Sequence, residues 1–212
     1  MLKRELLLGL PGGIQSAMYC ISGLITTAAL NGFGETVVAS WTAYSKFDAI
    51  FWMISGAMGV TITTFVGQNY GAGKIERIHR GVKLMNWAYV FVAIFSSVLF
   101  VALRVPLYRI FVESQEAVDV GCRMLLLITP FYILNIHIEN YSGALRGVGD
   151  TIAPMIISIF GVCVFRVIYL GILMPIYHSL DLLCIMYPIS WVLTNTMYLI
   201  YYPRRMRKLV KA

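Results

Sequence analysis

Four stretches of this sequence run at least twenty residues without Asp, Glu, Lys or Arg. They are Leu6–Gly34 (29 residues), Ala49–Gly73 (25), Leu84–Leu103 (20) and Leu182–Pro203 (22). A helix needs about 20 mainly apolar residues to cross the hydrocarbon core of a bilayer. Two further stretches qualify with one interruption each: Met124–Ile138 runs into Glu139, and Thr151–Leu180 holds Arg166 as its one Asp, Glu, Lys or Arg. A water-soluble fold can bury one such run as a core helix, but six of them in 212 residues would leave almost no polar surface. Charged residues make up 13% of the chain, against about 25% in an ordinary globular domain. The runs are too long for barrel strands and lack their alternation. The sequence therefore predicts an all-α polytopic membrane protein, a six-transmembrane-helix bundle forming one unit over residues 1–212. The expected spans are 8–32, 38–68, 82–104, 118–144, 152–176 and 182–203, with a basic cytoplasmic tail over 204–212.

The connections between these spans carry helix breakers: Asn31-Gly32-Phe33-Gly34, Tyr70-Gly71-Ala72-Gly73, Val105-Pro106 and Arg146-Gly147-Val148-Gly149-Asp150. Glycine supplies the backbone freedom that a helix stop needs. With six spans both termini lie on one side, and that side collects twelve of the 17 Lys and Arg residues, against three (Arg104, Arg109, Arg123) opposite. This asymmetry predicts cytoplasmic termini in a plasma or inner cell membrane. The net charge of +7 then needs no nucleic-acid partner. The stretch Pro203-Arg204-Arg205-Met206-Arg207-Lys208 reads as an anchor on anionic lipid headgroups. Met1-Leu2-Lys3-Arg4 and the leucines after it resemble the start of a signal peptide, but the apolar stretch is too long and no A-x-A pattern closes it, so it reads as a first helix. Cys20, Cys122, Cys163 and Cys184 show no C-x-x-C spacing and read as packing residues, with no metal or cofactor implied. No H-E-x-x-H, P-loop or Ser/His/Asp constellation indicates an enzyme.

Ionisable groups at membrane depth are costly and in membrane proteins commonly mark ion or solute paths. Lys46, Asp48 and Arg166 fall in the outer half of the predicted spans, and Glu139 nearer the inner half. Asn135 and Glu139 share a helix face at i and i+4, with Ser142 three residues on. Pro130 upstream should bend that helix and free a carbonyl. A carboxylate on a bent membrane helix is a reasonable seat for H+ or Na+. The structural alternatives are an Asp48–Arg166 ion pair, and Glu139 paired with Lys46 or Arg166. His137 is a candidate proton relay beside Glu139. Tyr19, Trp52, Tyr132 and Met53 are candidate cavity liners, and Gln68, Asn69 and Asp150 read as helix caps and turn formers.

The loop motifs resemble a known family. Gly67-Gln68-Asn69-Tyr70-Gly71-Ala72-Gly73, with Arg77 following, is similar to the G-Q-N-x-G-A signature of the multidrug and toxic compound extrusion (MATE) transporters. Ser142-Gly143-Ala144-Leu145-Arg146-Gly147-Val148-Gly149-Asp150-Thr151, with Pro154, resembles the family's S-G-x-L-R-G-x-G-D-T turn. Gly9-Leu10-Pro11-Gly12-Gly13-Ile14-Gln15-Ser16 resembles the start of its seventh helix, and Lys46-Phe47-Asp48 and Phe165-Arg166 fall where many bacterial members carry K-x-D and F-R. The motifs match the C-terminal lobe of a two-lobe transporter, and no second copy is present. The resemblance implies half of, or a fragment of, an H+- or Na+-coupled antiporter that exports small amphipathic or cationic organic compounds. Its implied partners are membrane lipids and either an N-terminal MATE lobe or a second copy in a homodimer. The candidate site residues, read from the polar groups at membrane depth and these motifs together, are Glu139, Asn135, Asp48, Lys46, Arg166, His137 and Gln15, with Glu139 a candidate seat for Na+. Two alternatives stay open: a flippase for a lipid-linked precursor, which would favour a more cationic cavity, and a lobe that serves as an assembly partner without transport of its own. The best-known sodium-driven members carry an acid ten residues after the glycine that here is Gly9, where this chain has Tyr19, and another near the position of Asn135.

Overall fold

The computed structural model describes the backbone of residues 2–211 and the side chains of residues 9–209. Every regular element among them is helical: α1 (Leu2–Asn31), α2 (Glu35–Gly71), α3 (Ile75–Ala102), α4 (Arg104–Arg109), α5 (Gln115–Ile128), α6 (Tyr132–Gly147), α7 (Ile152–Ser158), α8 (Phe165–Tyr177) and α9 (Leu180–Lys211). A 3-10 turn at Thr129–Phe131 joins α5 to α6, and a π-helical segment at Ile159–Val164 joins α7 to α8. The result is six helical segments long and apolar enough to cross a membrane: Gly9–Asn31, Glu35–Gly71, Ile75–Ala102, Gln115–Gly147, Ile152–Tyr177 and Leu180–Leu209.

The breakers act where the helices stop. Gly73 and Gly149 both sit at positive φ, 69° and 86°. Behind them the Lys74 amide donates to the Asn69 carbonyl at 2.9 Å and the Asp150 amide to the Leu145 carbonyl at 3.0 Å. These are the long closing bonds of a helix C-terminus that ends on a left-handed glycine. At Pro130 the missing N–H interrupts the ladder, and the bend expected there takes the form of the 3-10 turn. The Thr129 carbonyl accepts from the Ser97 hydroxyl of α3 at 2.8 Å, which a polar backbone group deep in a membrane requires. Into the basic stretch the helix continues: α9 runs through Pro203 to Lys211.

The outer surface is apolar. On α3, Leu84, Trp87, Phe91, Phe95 and Val98 follow helical spacing and are 71%, 65%, 69%, 58% and 63% exposed. In water such a stripe would be an aggregation site; in a bilayer it is the lipid-facing side. Inside, α2 is the central helix, packed against α3, α5 and α6. Its Tyr44, Phe47 and Phe51 are buried with Phe100, Tyr108, Tyr132 and Trp191. The Phe51 and Tyr132 rings stack with centroids 3.8 Å apart.

The α2–α6 crossing is close because it is built on glycine. A Cβ added at Gly143 would stand 2.4 Å from the Ile62 Cγ2 and 2.8 Å from the Gly59 carbonyl oxygen. At Gly147 it would stand 2.7 Å from the Thr63 carbonyl oxygen. Small residues allow this approach, and a side-chain hydroxyl then reaches a backbone carbonyl across it. The Thr63 hydroxyl lies 2.8 Å from the Gly59 carbonyl of its own helix and 3.1 Å from the Gly143 carbonyl of α6.

Candidate functional site

Midway through the bundle lies a cavity of about 240 Å³, walled by α1, α2, α6, the π segment, the start of α8 and α9. Its polar lining comes from Asn135 and Glu139 of α6, Arg166 of α8, and Tyr19 and Ser22 of α1. Trp52 and Trp191 supply aromatic surface. Asn135 and Glu139 share this wall, as their spacing of four requires. The Asn135 Nδ2 is buried and has no hydrogen-bond partner among the described residues. Gln15 is buried one turn from Tyr19, with its Nε2 3.5 Å from the Tyr19 hydroxyl. It supports the wall from behind.

Asp48 lies beside this cavity and is held by neutral donors. Tyr132 donates a short hydrogen bond to Oδ1, and the Trp52 Nε1 donates to Oδ2 at 2.8 Å. The Tyr44 hydroxyl stands 3.3 Å from Oδ1 and 2.9 Å from the Tyr132 hydroxyl. The Asp48–Arg166 ion pair weighed from the sequence does not form. Among the described residues no carboxylate lies within salt-bridge distance of Arg166. Its Nε donates to the Ser190 Oγ at 3.1 Å, and its guanidinium carbon sits 4.1 Å from the centre of the Tyr187 ring. Both partners lie on α9, so the cation is held by a hydroxyl and a π face.

The expected partners of Glu139 are also replaced. Neither Lys46 nor Arg166 reaches it; Arg146 does, with Nη2 3.5 Å from Oε2. The spacing of seven residues, about two helical turns, puts Glu139 and Arg146 on one side of α6. Lys46 is exposed and lines a separate recess with Thr42, Ala43 and Phe111. It stands two residues from Asp48, which on a helix points it to a different side. His137 turns back on its own helix, its Nδ1 2.8 Å from the Ile133 carbonyl oxygen, and is not on the cavity wall. Of the four candidate liners, Tyr19 and Trp52 line the cavity; Tyr132 is buried beneath Asp48 and Met53 is 75% exposed. Asp150 does not cap a helix but accepts from the Tyr201 hydroxyl at 2.8 Å and the Arg205 Nε at 3.0 Å. Three contributors escaped sequence reasoning: Trp191 and Ser22, which carry no local signal, and Arg146, whose i+7 relation to Glu139 was available.

The arrangement offers a carboxylate, an unpartnered amide and a guanidinium in one apolar enclosure of aromatic rings. Such a site can hold a small cation at the carboxylate and a flat organic molecule against the rings.

Comparison with known proteins places this geometry in context. The family profile described as MatE matches residues 11–172. The multidrug resistance protein PmpM of Pseudomonas aeruginosa is 30% identical over 178 residues, covering 82% of this chain and 35% of that protein. The probable multidrug resistance protein NorM of Pasteurella multocida is 27% identical over 161 residues, covering 75% of this chain and 34% of its own length. Among solved structures, the Vibrio cholerae MATE transporter VcmN in its bent form superposes with a TM-score of 0.86 at 16% identity, over 96% of this chain and 46% of that one. The chain thus spans about a third of the length of the relatives it matches and just under half of the solved transporter.

Proposed function

This chain belongs to the MATE family, a family of multi-pass membrane transporters, and from that premise we propose that it is one six-helix lobe of a cation-coupled drug antiporter. The lobe works with a complementary lobe, either a distinct N-terminal one or a second copy, and exports amphipathic organic cations across the plasma or inner membrane. Both termini face the cytoplasm, on the charge asymmetry of the loops. Glu139 carries the coupling ion, H+ or Na+, with Asn135 beside it. Asp48, Arg166 and Gln15 shape the cavity around them.

The observation that carries this reading is the mid-depth cavity itself. It brings Glu139 together with Tyr19, Trp52 and Trp191 in a bundle whose exterior is lipid-facing. A carboxylate attracts cations, and aromatic faces hold them with roughly 0.5–2 kcal/mol each. The flippase reading needs a more cationic cavity to hold a pyrophosphate. The outward position of Lys46 leaves Arg166 as the one cation on the wall of this cavity among the described residues.

Ligand binding tests the reading directly. In lipid nanodiscs, an amphipathic cationic dye should quench tryptophan fluorescence saturably, and Trp191→Phe should remove most of that response. Quenching that is non-saturable, or equal in Trp191→Phe and Trp52→Phe and in a variant altered at the lipid-facing Trp87, would mean that the dye partitions into lipid and not into the cavity.

A further inference from the structure

Glu139 lies on the walls of two cavities. Its first is the mid-depth cavity. The second, of about 310 Å³, lies on the other side of the carboxylate, toward the end of the bundle that carries the α2–α3 and α6–α7 turns. Gly56, Gly59, Thr63 and Thr64 of α2 form one wall, and Arg146 of α6 faces them. Glu139 thus separates two chambers that share no other lining residue.

Three features of the Glu139–Arg146 contact stand out. Its 3.5 Å separation is longer than the roughly 2.7–2.9 Å of a strong charge-assisted hydrogen bond. The Arg146 Nε is buried without a partner among the described residues, so none of them anchors the guanidinium through that atom. The Glu139 Oε2 rests where a side chain on Gly59 would be, 2.9 Å from the ideal Cβ position. The carboxylate therefore packs directly against α2, while its contact with the cation is long.

We propose that Arg146 is a tethered counter-cation for Glu139. It neutralises the carboxylate from the second cavity while the first holds no cation, and a Na+-sized monovalent cation arriving from the first cavity displaces it. This rests on the reading that Glu139 carries the coupling ion. The reason is electrostatic. A carboxylate at this depth is expensive unless a cation accompanies it. A built-in cation supplies that partner between transport events, and it competes with the incoming ion for the same oxygens. Competition of this kind is reciprocal: the ion weakens the arginine's hold as much as the arginine weakens the ion's. Once released, the guanidinium faces the hydroxyl oxygens of Thr63 and Thr64, which keep acceptor capacity beyond the bonds their protons make. Occupancy of one chamber is thereby reported in the other.

The test uses wild-type protein in lipid nanodiscs and the arginine-selective reagent phenylglyoxal, read peptide by peptide by mass spectrometry. Replacing choline chloride with sodium chloride at constant ionic strength should accelerate modification of Arg146 by at least about five-fold, the low end of typical coupling between sites. Modification of Arg207 should not change. In Glu139→Gln, Arg146 should react fast with or without Na+. Gly59→Ala, which displaces the carboxylate, should behave in the same way. A carbodiimide is run in parallel to report whether Na+ protects the Glu139 carboxylate. Protection of Glu139 with no change at Arg146 overturns the tethered-cation proposal and leaves the coupling role of Glu139 standing. Absence of both responses overturns the tethered-cation proposal together with Na+ as the ion at Glu139, and leaves H+ coupling at that carboxylate to the gradient-driven transport measurement.

Discussion

Asp48 and Glu139 meet the same cost in different ways. Asp48 is wrapped by donors from Tyr132 and Trp52 with Tyr44 beside them, and it faces no ionic partner within salt-bridge distance among the described residues. That is a structural solution. Asp48→Asn keeps an acceptor and should be tolerated. Asp48→Ala strands the buried Tyr132 hydroxyl and should cost about 1–3 kcal/mol, the usual penalty for an unsatisfied buried group. Unfolding titrations in mixed micelles measure the difference; equal stability of the two variants would show that the tyrosine bonds contribute nothing. Glu139 instead opens on two cavities and has a long contact to one cation. Much of this was legible. The i+4 relation of Asn135 and Glu139 is a property of the helix alone, and the wall they share follows from it. The partner of Arg166 was not legible, because Ser190 and Tyr187 reach it only through the packing of α8 on α9. Arg146 was hidden for a different reason: a cation next to a glycine turn counts toward topology, and that count says nothing of where its long side chain reaches.

At the scale of elements, the crossing of α2 and α6 fixes the distance between Glu139 and everything it faces. Gly143 has no room for a methyl group, with the Gly59 carbonyl oxygen 2.8 Å from the ideal Cβ. Gly143→Ala should therefore lower stability by about 1–3 kcal/mol, the range for overpacking a tight interface, and should loosen the seat of Glu139 as well. Gly71→Ala, at a position open to space, is the control; a similar loss in both would deny the crossing its special role. The glycine-rich turns and the break at Pro130 were readable from the residues, because missing Cβ atoms and a missing N–H act locally. The π segment at Ile159–Val164 was not. Within it Gly161 packs on Thr194, its ideal Cβ 2.3 Å from the Thr194 Oγ1, and that contact belongs to the α9 interface. The segment ends two residues before Arg166, so it sets the side of the helix on which that side chain emerges.

For the whole molecule, the lipid-facing stripe of α3 and the loop charges lead to one topology. The order of spans in the sequence assigns twelve of 17 basic residues to one side and three to the other, which predicts that the crowded side is cytoplasmic. In a background without the four native cysteines, single cysteines near Gly34, Glu113 and Ser179 should react with an impermeant reagent added outside cells, and those near Lys74 and Arg207 should not. The reverse pattern would invert the orientation. Assembly is tested separately, because the proposed pairing with a second lobe would cover part of this apolar exterior. Mass measurement in native-like lipid discs should find the chain paired; a uniform, stable monomer would contradict that.

Gradient-driven transport bears most directly on the role given to Glu139. In membrane vesicles from cells producing the chain with its complementary lobe, an imposed Na+ or H+ gradient should drive movement of an amphipathic cationic dye. Glu139→Gln keeps size and hydrogen bonding but removes the exchangeable charge. At equal protein level and unchanged thermal stability, its dye movement should fall to that of vesicles without the chain. Wild-type rates in a stable Glu139→Gln protein would contradict a coupling role for this lobe and place the coupling ion elsewhere.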